Sequence, residues 1–409
     1  MLQEAERYSD FASHAVGYCN ADGGGSGVEG AYDAALTSGG RRYMAALLDA
    51  GSELIPGLRY RTIRLPGERG FRTVCLTLDA RVQKAAEEVF DRHAEKGAVV
   101  ALDPFTGDVL AMVSRPNFDA ASLAAYLDDA RAPLINRALT AYQPGSVFKL
   151  AVAAAALERK LVQEKEMFLD KGYIDVDGTV FRGWDYKKGA RRVSFTEAMA
   201  QSSNPVFIEV GLRVGMRGLV DFSRRLGFGA QTGIGLPEEA PGSLPAADNI
   251  YRGEAANLSI GQGQCEATPL QLAALVGAVV DGGVRHAPVL VDRVLDENGE
   301  TLETLPRPPG ARVFSPETAA ALRRMLRGVT ENGTGRAAYV EKYGSAGKTG
   351  SAETGRVTAA GEGVSHAWFA GYAPLAKPRY VAVVFVEDGM SGGDVAAPIF
   401  REIMEIILR

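Results

Sequence analysis

The sequence is poor in the side chains that build metal centres and disulfide frameworks. It has three cysteines, Cys19, Cys75 and Cys265, which lie far apart and show no C-x-x-C spacing. Its four histidines are scattered, without the clustered His and Glu pattern of a metalloenzyme. The sequence therefore predicts no metal site, and the cysteines are interpreted as small apolar residues of the interior.

Excess positive charge and long apolar runs are also lacking. The net charge of −5 argues against a nucleic-acid partner, because phosphate binding requires a basic surface. No window approaches the roughly 18 apolar residues that cross a bilayer, and residues 1–10 are too polar for the core of a signal peptide. We expect the chain itself to be soluble, and to meet a membrane only through an anchor that these residues lack.

The glycine-rich segments do not combine a lysine and a serine or threonine with a strand-to-helix turn, as a phosphate-binding loop does. The sequence therefore argues against nucleotide binding.

The remaining composition is that of an ordinary globular protein. The 409 residues are 46% hydrophobic and 23% charged, which is sufficient for one large domain and a smaller one. Residues 1–70 are glycine-rich and irregular. At about Phe71 the sequence pattern changes to one that is typical of a strand. The sequence thus predicts a small N-terminal segment over residues 1–70 and a main domain over residues 71–409.

Hydrophobic periodicity places strands at both ends of the main domain and helices between them. Two hairpins are predicted, one over residues 98–113 and one over residues 366–387. Helical patterns dominate residues 146–229. Further helices are predicted from Asp79 toward Lys96, from Thr268 and Pro269 to about Val280, and over residues 398–408. The prediction is an α+β fold, in which one antiparallel sheet is flanked by helices around a large helical insertion at about 115–310.

The most informative stretch contains Ser146 followed three residues later by Lys149, at the start of an alanine-rich helix. Residues three apart share one helix face, so the lysine amine can reach the serine oxygen. A serine hydroxyl needs a base to become nucleophilic, and a lysine serves as base only when burial and nearby positive charge lower its pKa. Taken alone, the same spacing also describes a capping serine followed by a surface lysine.

Two further motifs follow in order along the chain. Ser202 and Asn204 form a Ser-x-Asn, and Lys348 begins a Lys-Thr-Gly. Ser202 can relay a proton to a leaving amine, and the Asn204 amide can hold a substrate carbonyl or Lys149. Lys348 can supply a positive charge toward a substrate carboxylate. Each motif alone is weak, and a plain turn explains the second, but the ordered trio matches the signature of the penicillin-recognising serine enzymes.

The residues around the third motif complete the predicted site. Thr349 and Ser351 offer hydroxyls for the substrate, and Gly350 lets a substrate backbone lie close to the strand. The backbone N–H groups of Ser146 and Ser351 form the predicted oxyanion hole, where negative charge develops during acyl transfer. Backbone amides and Lys348 polarise the substrate, so no cofactor is expected.

Together with these motifs, the stretches between them make the chain resemble a class B, monofunctional penicillin-binding protein. The resembling segments include residues 98–116, 226–229, 260–271 and 366–374. The resemblance implies the transpeptidase fold shared with serine β-lactamases and D,D-peptidases, with residues 1–70 as the remnant of an N-terminal pedestal region. Ser351 stands where the family usually has threonine, and Gln143 where it usually has proline.

The resemblance also implies an activity. It is D,D-transpeptidation of peptidoglycan stem peptides through a serine acyl-enzyme, with release of D-alanine and with acylation by β-lactams. The implied place is the extracytoplasmic face of the bacterial membrane, beside a partner enzyme that polymerises the glycan. Two alternatives stay open: a hydrolase of the D,D-carboxypeptidase or β-lactamase type, and a non-catalytic sensor or scaffold that binds β-lactams.

Three other residues are weaker candidates for a general base. His366 is expected next to a strand near the third motif, where a structural role is the commoner one. Glu238 and Glu239 invite comparison with a deacylating base, but Pro241 and Gly242 follow where an asparagine is required. We interpret that segment as a structural loop.

Overall fold

The computed structural model describes residues 11–20, 25–37, 43–45, 61–63, 72–358 and 361–409. Most of the predicted N-terminal segment lies outside these ranges. Within them, no helix is both long and apolar enough to cross a bilayer.

A five-stranded antiparallel sheet forms the centre of the main domain. Its strands are, in chain order, β1 (Gly97–Leu102), β2 (Val109–Arg115), β3 (Ala346–Val357), β4 (Gly363–Ala373) and β5 (Tyr380–Val386). Their spatial order is β3-β4-β5-β1-β2. The two ends of the domain meet where β5 pairs with β1, with Val383 opposite Val100. This confirms the predicted α+β fold with an antiparallel sheet, and it leaves β3 at one edge.

Helices cover both faces of this sheet, which is why β1 and β5 are apolar throughout. One face packs on the helices Ala80–His93 and Ala397–Ile407. Asp79 caps the first of them, because its side chain accepts hydrogen bonds from the N–H groups of Arg81 and Val82. The other face packs on the insertion between β2 and β3.

The insertion contains most of the helices of the domain. They are Lys149–Glu158, Phe195–Ala200, Asn204–Val214, Met216–Leu226, Arg252–Ser259, Pro269–Val280 and Pro316–Asn332. Thr268 caps the helix Pro269–Val280, as the Thr-Pro sequence predicts, and the structure adds a reciprocal capping box with Gln271.

The prediction that helices dominate residues 146–229 is wrong in its middle part. Four strands lie there in two small antiparallel sheets: Met167–Asp170 with Arg191–Ser194, and Tyr173–Val176 with Thr179–Arg182. Asp177 and Gly178, both at positive φ (53° and 89°), turn the second pair into a hairpin. An Asp-Gly pair between two β-type runs is a strong hairpin signal, and the sequence analysis missed it.

Outside the large sheet, the described residues contain several short elements. These are the helices Ser13–Val16, Gly27–Ala31 and Asp33–Thr37, and the strands Tyr18–Cys19, Gly25–Ser26, Tyr43–Ala45, Arg61–Ile63, Thr73–Leu76, Val284–Arg285, Val291–Leu295, Thr301–Thr304 and Ala311–Arg312. Thr73–Leu76 pairs with Val291–Leu295 in a separate sheet. Ala12 and Val28 are buried in the main core, so part of the predicted N-terminal segment packs on the main domain. The domain division at residue 70 stays a prediction.

Candidate active site

Ser146 lies in a short 3-10 turn, Gly145–Phe148, that leads directly into the buried helix Lys149–Glu158. Gly145 has a φ of 53°, and a Cβ at this position would come within 2.8 Å of the Ser351 carbonyl oxygen. Only glycine allows both this backbone conformation and this close approach. The turn is thereby packed against β3, so the first and third motifs are neighbours.

The Lys149 amine is fully buried and has three hydrogen-bond acceptors. Its Nζ donates to the Ser202 carbonyl oxygen at 2.7 Å, the Ser202 hydroxyl at 3.2 Å and the Asn204 Oδ1 at 2.7 Å. In the described part of the chain, its hydrogen bonds thus go to the second motif and not to Ser146. Lys149 and the second motif form one unit, and Asn204 takes the lysine-holding role of the two that the sequence allowed.

Ser202 occupies the connection between the helices Phe195–Ala200 and Asn204–Val214. Its φ of 55° is in the left-handed region, which non-glycine residues rarely adopt. Its N–H bonds to the Met199 carbonyl, and the Ser203 side chain caps the next helix by accepting from Val206. Strained backbone of this kind concentrates at functional sites. Here it directs the Ser202 hydroxyl toward the two buried lysines.

Lys348 is fully buried on β3, where its Nζ bonds to the Ser202 hydroxyl at 2.9 Å and the Thr349 carbonyl at 2.9 Å. Burial lowers the pKa of Lys348 to about 7. Burial also lowers the pKa of Lys149 well below its usual value, and the nearby charge of Lys348 lowers it further. The pair therefore holds fewer than two protons near neutral pH, and a neutral Lys149 has the lone pair that a general base needs.

Two buried carboxylates oppose this effect. Asp170 and Asp185 favour the charged form of Lys149, but both are engaged by the same arginine. Arg191 lies 3.2 Å from the Asp170 Oδ2 and 2.7 Å from the Asp185 Oδ2. The guanidinium therefore offsets part of the negative charge that would otherwise keep Lys149 protonated.

The residues after Lys348 differ in where they point. The Thr349 hydroxyl lies 2.7 Å from that of Thr334, a residue that the sequence analysis missed. A Cβ on Gly350 would lie 2.9 Å from the Pro144 carbonyl oxygen and 3.0 Å from the Val147 Cγ2. Because Gly350 has no side chain, the turn that carries Ser146 can pack against it. The space that we assigned to a substrate on that side is therefore occupied by the protein itself.

Ser351 is exposed, and its hydroxyl accepts a hydrogen bond from the Gly392 N–H at 3.2 Å. Ser351 and Ser146 line one cleft with a volume of about 550 Å³. Asn204 lines it too, so the cleft brings together residues of the first two motifs and the residue that follows the third. The cleft also includes residues that the sequence did not indicate: Val180, Phe181, Arg182, Asn257, Ile260, Gln262, Gly263 and Glu353. The missed hairpin at 173–182 contributes three of them.

The weaker general-base candidates have structural partners. His366 lies within β4, not beside it, and its Nδ1 accepts from the Asp388 N–H at 3.1 Å. Glu238 accepts from the N–H of Gly27, and Glu239 accepts from the N–H and hydroxyl of Thr232 at 2.6 Å. The two glutamates thus stabilise loops, in line with the structural interpretation.

The arrangement is suited to acyl transfer. A serine at the start of a helix opens onto a cleft, an amine with a lowered pKa follows it by one turn, and a second hydroxyl connects that amine to a second lysine. These are the parts that covalent catalysis requires: a nucleophile, a base and a proton relay.

Comparison with known proteins gives consistent matches. Residues 97–405 match the penicillin binding protein transpeptidase domain family. The chain is 34% identical to the stage V sporulation protein D of Bacillus subtilis (strain 168), over 97% of this chain and 62% of that protein. It is 31% identical to the peptidoglycan D,D-transpeptidase PbpA of Mycolicibacterium smegmatis, over 93% of this chain and 82% of that protein.

A solved structure resembles the whole fold. The penicillin-binding protein 3 of Mycobacterium tuberculosis, in complex with aztreonam, has a TM-score of 0.80 and 31% sequence identity. The match covers 98% of this chain and 88% of that one. By contrast, the chain spans less than two thirds of the length of the B. subtilis protein.

Proposed function

Because the chain belongs to the penicillin-binding protein transpeptidase family, we propose that it is a peptidoglycan D,D-transpeptidase that works through an acyl-enzyme on Ser146. The observation that carries this proposal is the network in which the Ser202 hydroxyl contacts both Lys149 and Lys348 beside the cleft of Ser146. The network supplies a base and a proton relay to a serine nucleophile.

In the first half-reaction, the Ser146 hydroxyl attacks the carbonyl carbon of the penultimate D-alanine of a donor stem peptide. Lys149 takes the hydroxyl proton, and the N–H groups of Ser146 and Ser351 stabilise the oxyanion. The proton then passes through Ser202 to the departing amine, and the terminal D-alanine leaves. Lys348 and Thr349 attract the carboxylate of that terminal residue.

In the second half-reaction, an amine of a neighbouring stem peptide attacks the acyl-enzyme carbonyl. The amine gives up its proton along the same route in reverse, and Ser146 is released as the hydroxyl. The new amide bond is the cross-link. A β-lactam follows the first half-reaction only, since its ring opens without releasing a leaving group that could diffuse away.

The wider setting follows from this chemistry. Cross-linking needs glycan strands that another enzyme has polymerised, so we assign the chain a glycan-polymerising partner. Its substrate lies outside the cytoplasm, and the extracytoplasmic face of the membrane is the corresponding place of action. The steps above use only side chains and backbone amides of the chain, with no cofactor.

The test is intact-protein mass spectrometry after incubation with a penicillin. We expect an adduct of one drug mass on the protein and none on Ser146→Ala. Ser122→Ala, which removes an exposed serine that does not line the cleft, serves as the control and should be acylated. A folded protein that gains no adduct would refute the proposal.

Product analysis separates transfer from hydrolysis. With a donor peptide and an amine acceptor, linked dimers are expected. Shortened monomers alone would identify a D,D-carboxypeptidase, and an acylated protein that releases no product from any peptide would identify a sensor.

A further inference from the structure

An exposed indole ring lies just beyond the catalytic cleft. Trp184 is 59% exposed, and it follows Arg182, a cleft residue, by two positions. Their Cα atoms are therefore at most about 7 Å apart. The Trp184 Nε1 donates to the Gln201 carbonyl oxygen at 3.0 Å, and Gln201 directly precedes Ser202. The ring is thus held at its edge by a hydrogen bond, beside the strained connection that contains Ser202.

A second exposed aromatic ring adjoins the wall of the cleft. Tyr173 is 49% exposed and lies opposite Arg182 in the register of the 173–182 hairpin. Directly opposite residues of an antiparallel pair point to the same face of the sheet. On the other face, Ile174 and Phe181 pack against Ile208. Tyr173 therefore extends the surface that Arg182 begins at the cleft.

Buried contacts hold the loop that follows the hairpin. Asp185 is buried, and its Oδ2 lies 2.7 Å from the Arg191 Nη1. The Gly183 N–H donates to the Gly172 carbonyl oxygen at 2.8 Å. A Cβ on Gly172, whose φ is 79°, would lie 2.8 Å from the Tyr186 Cα, so only glycine lets the loop pack here. The exposed rings are thereby presented in place, and little conformational entropy is lost when a ligand binds them.

Charged groups border these rings. The Arg182 guanidinium lies 5.7 Å and the Lys187 Nζ 6.0 Å from the centre of the Tyr186 ring. Asp175, two residues after Tyr173 on the same face, is exposed as well. Aromatic faces bordered by donors and acceptors suit a pyranose sugar, because its C–H groups pack on the negative face of the ring while its hydroxyl and acetamido groups form hydrogen bonds. The Asp175 carboxylate repels anionic lipid headgroups, so a sugar matches this surface better than a membrane does.

We propose that Trp184 and Tyr173 form a stacking site for the sugar rings of a peptidoglycan glycan strand, separate from the cleft that takes the stem peptide. This inference rests on the proposed function, because each stem peptide is bonded to a sugar of such a strand. An extended peptide spans about 3.3 Å per residue. A stem of a few residues held at Ser146 therefore keeps its strand beside the cleft, where both rings lie. No bond is made or broken at the stacking site, which only binds and orients the strand.

Trp184 itself supplies the signal for the experiment, because the chain has two tryptophans and the other, Trp368, is fully buried. The protein is titrated with peptide-free glycan strands of alternating N-acetylglucosamine and N-acetylmuramic acid, and separately with uncharged tetramers of N-acetylglucosamine. We expect both ligands to shift the tryptophan emission to shorter wavelength, since a sugar on the indole displaces water. In Trp184→Phe, the remaining emission of Trp368 should not respond.

Two comparisons locate the binding. Tyr173→Ala should weaken the binding of both ligands by about three- to tenfold, as the loss of one aromatic contact does. Phe105→Ala removes a ring of similar exposure, 48%, that does not line the cleft, and it should bind like the parent protein. The titrations are repeated after penicillin has acylated Ser146, and we expect unchanged affinities, because the drug occupies the cleft and not the stacking site.

Four outcomes would overturn the inference. They are an emission that neither glycan ligand changes, binding that penicillin abolishes, binding of the charged strands without the neutral tetramers, and a response to anionic phospholipid vesicles in place of glycan. The third would reduce the site to attraction by Arg182 and Lys187. The proposed function fails separately, when no penicillin adduct forms on Ser146, and the titrations without penicillin still report on the stacking site in that case.

Discussion

The Lys348 Nζ lies 2.9 Å from the Ser202 hydroxyl oxygen, and Ser202 comes 146 positions earlier in the chain. The same hydroxyl is 3.2 Å from the Lys149 Nζ. A hydroxyl has one hydrogen to donate and two lone pairs. When Lys149 is neutral, Ser202 can donate to it while accepting from Lys348, so a proton path connects the two amines.

Replacing Ser202 separates the function of its hydroxyl from its backbone strain. Ser202→Ala and Ser202→Gly both remove the hydroxyl, and we expect both to slow acylation by penicillin about 100-fold, as loss of a proton relay does. Only glycine adopts a φ of 55° without steric cost. Ser202→Gly should therefore be more stable than Ser202→Ala by about 1 kcal/mol, measured by chemical denaturation. Equal stabilities would show that the backbone is unstrained.

The rate of acylation is expected to depend on pH in a bell shape. The rate rises as Lys149, whose pKa is lowered by burial and by Lys348, loses its proton. It falls above a pH of about 7 as Lys348, also buried, loses the charge that we propose attracts the substrate carboxylate. The apparent pKa values of the two limbs belong to the coupled pair of lysines and not to either residue alone. Penicillin acylation rates between about pH 5 and pH 10 test this, and a rate that climbs steadily to the alkaline end would contradict it.

Lys348→Met should stabilise the fold while abolishing acylation. The folded-state pKa of Lys348 is about 7, below the value of about 10.4 for an unfolded lysine. Between these values the unfolded state binds more protons, so the stability of the protein rises with pH. The gain in the variant should be on the order of 2 kcal/mol at neutral pH and shrink toward pH 10. Thermal melts at both pH values measure it, with the exposed Lys187→Met as the unchanged control.

Asn204→Asp places a carboxylate against Lys149 in nearly the same shape. The Oδ1 of Asn204 lies 2.7 Å from the Lys149 Nζ, and a negative charge there raises the pKa of the amine by about one unit or more. In a plot of acylation rate against pH, the rising limb should move to higher pH. Asn257→Asp adds the same charge to the cleft away from Lys149, and its rising limb should stay in place. A shift of equal size in both variants would point to a general field effect.

Gly350→Ala adds only one methyl group, but we expect it to displace Ser146. The new methyl group would meet the Pro144 carbonyl oxygen at 2.9 Å and the Val147 Cγ2 at 3.0 Å. We expect a destabilisation of about 1–3 kcal/mol and a loss of acylation, because the turn that presents Ser146 is displaced. Gly253→Ala, with no heavy atom within 4 Å of the new Cβ, is the matched control. Normal acylation in Gly350→Ala would show that the turn adjusts freely.

Much of the fold could be predicted from local patterns. The hairpins of the large sheet and the caps at Asp79 and Thr268 depend on neighbours in sequence, and all were predicted. The 173–182 hairpin was missed, although the pair Asp177 and Gly178 is typical of a hairpin turn. Its strands are short and half-exposed, and they lie between strong helical patterns. With it, the cleft residues Val180 and Arg182 were missed as well.

The sequence by itself indicated which side chains belong to the candidate site, since three motifs in a fixed order mark Ser146, Lys149, Ser202, Asn204 and Lys348 for one site. Only the tertiary structure decided how they act together. Lys149 contacts the second motif because β3 and the helical insertion enclose it, and the lowered pKa values of Lys149 and Lys348 arise from that burial. Desolvation and the position of a charge are properties of the packed surroundings, which residue spacing does not specify.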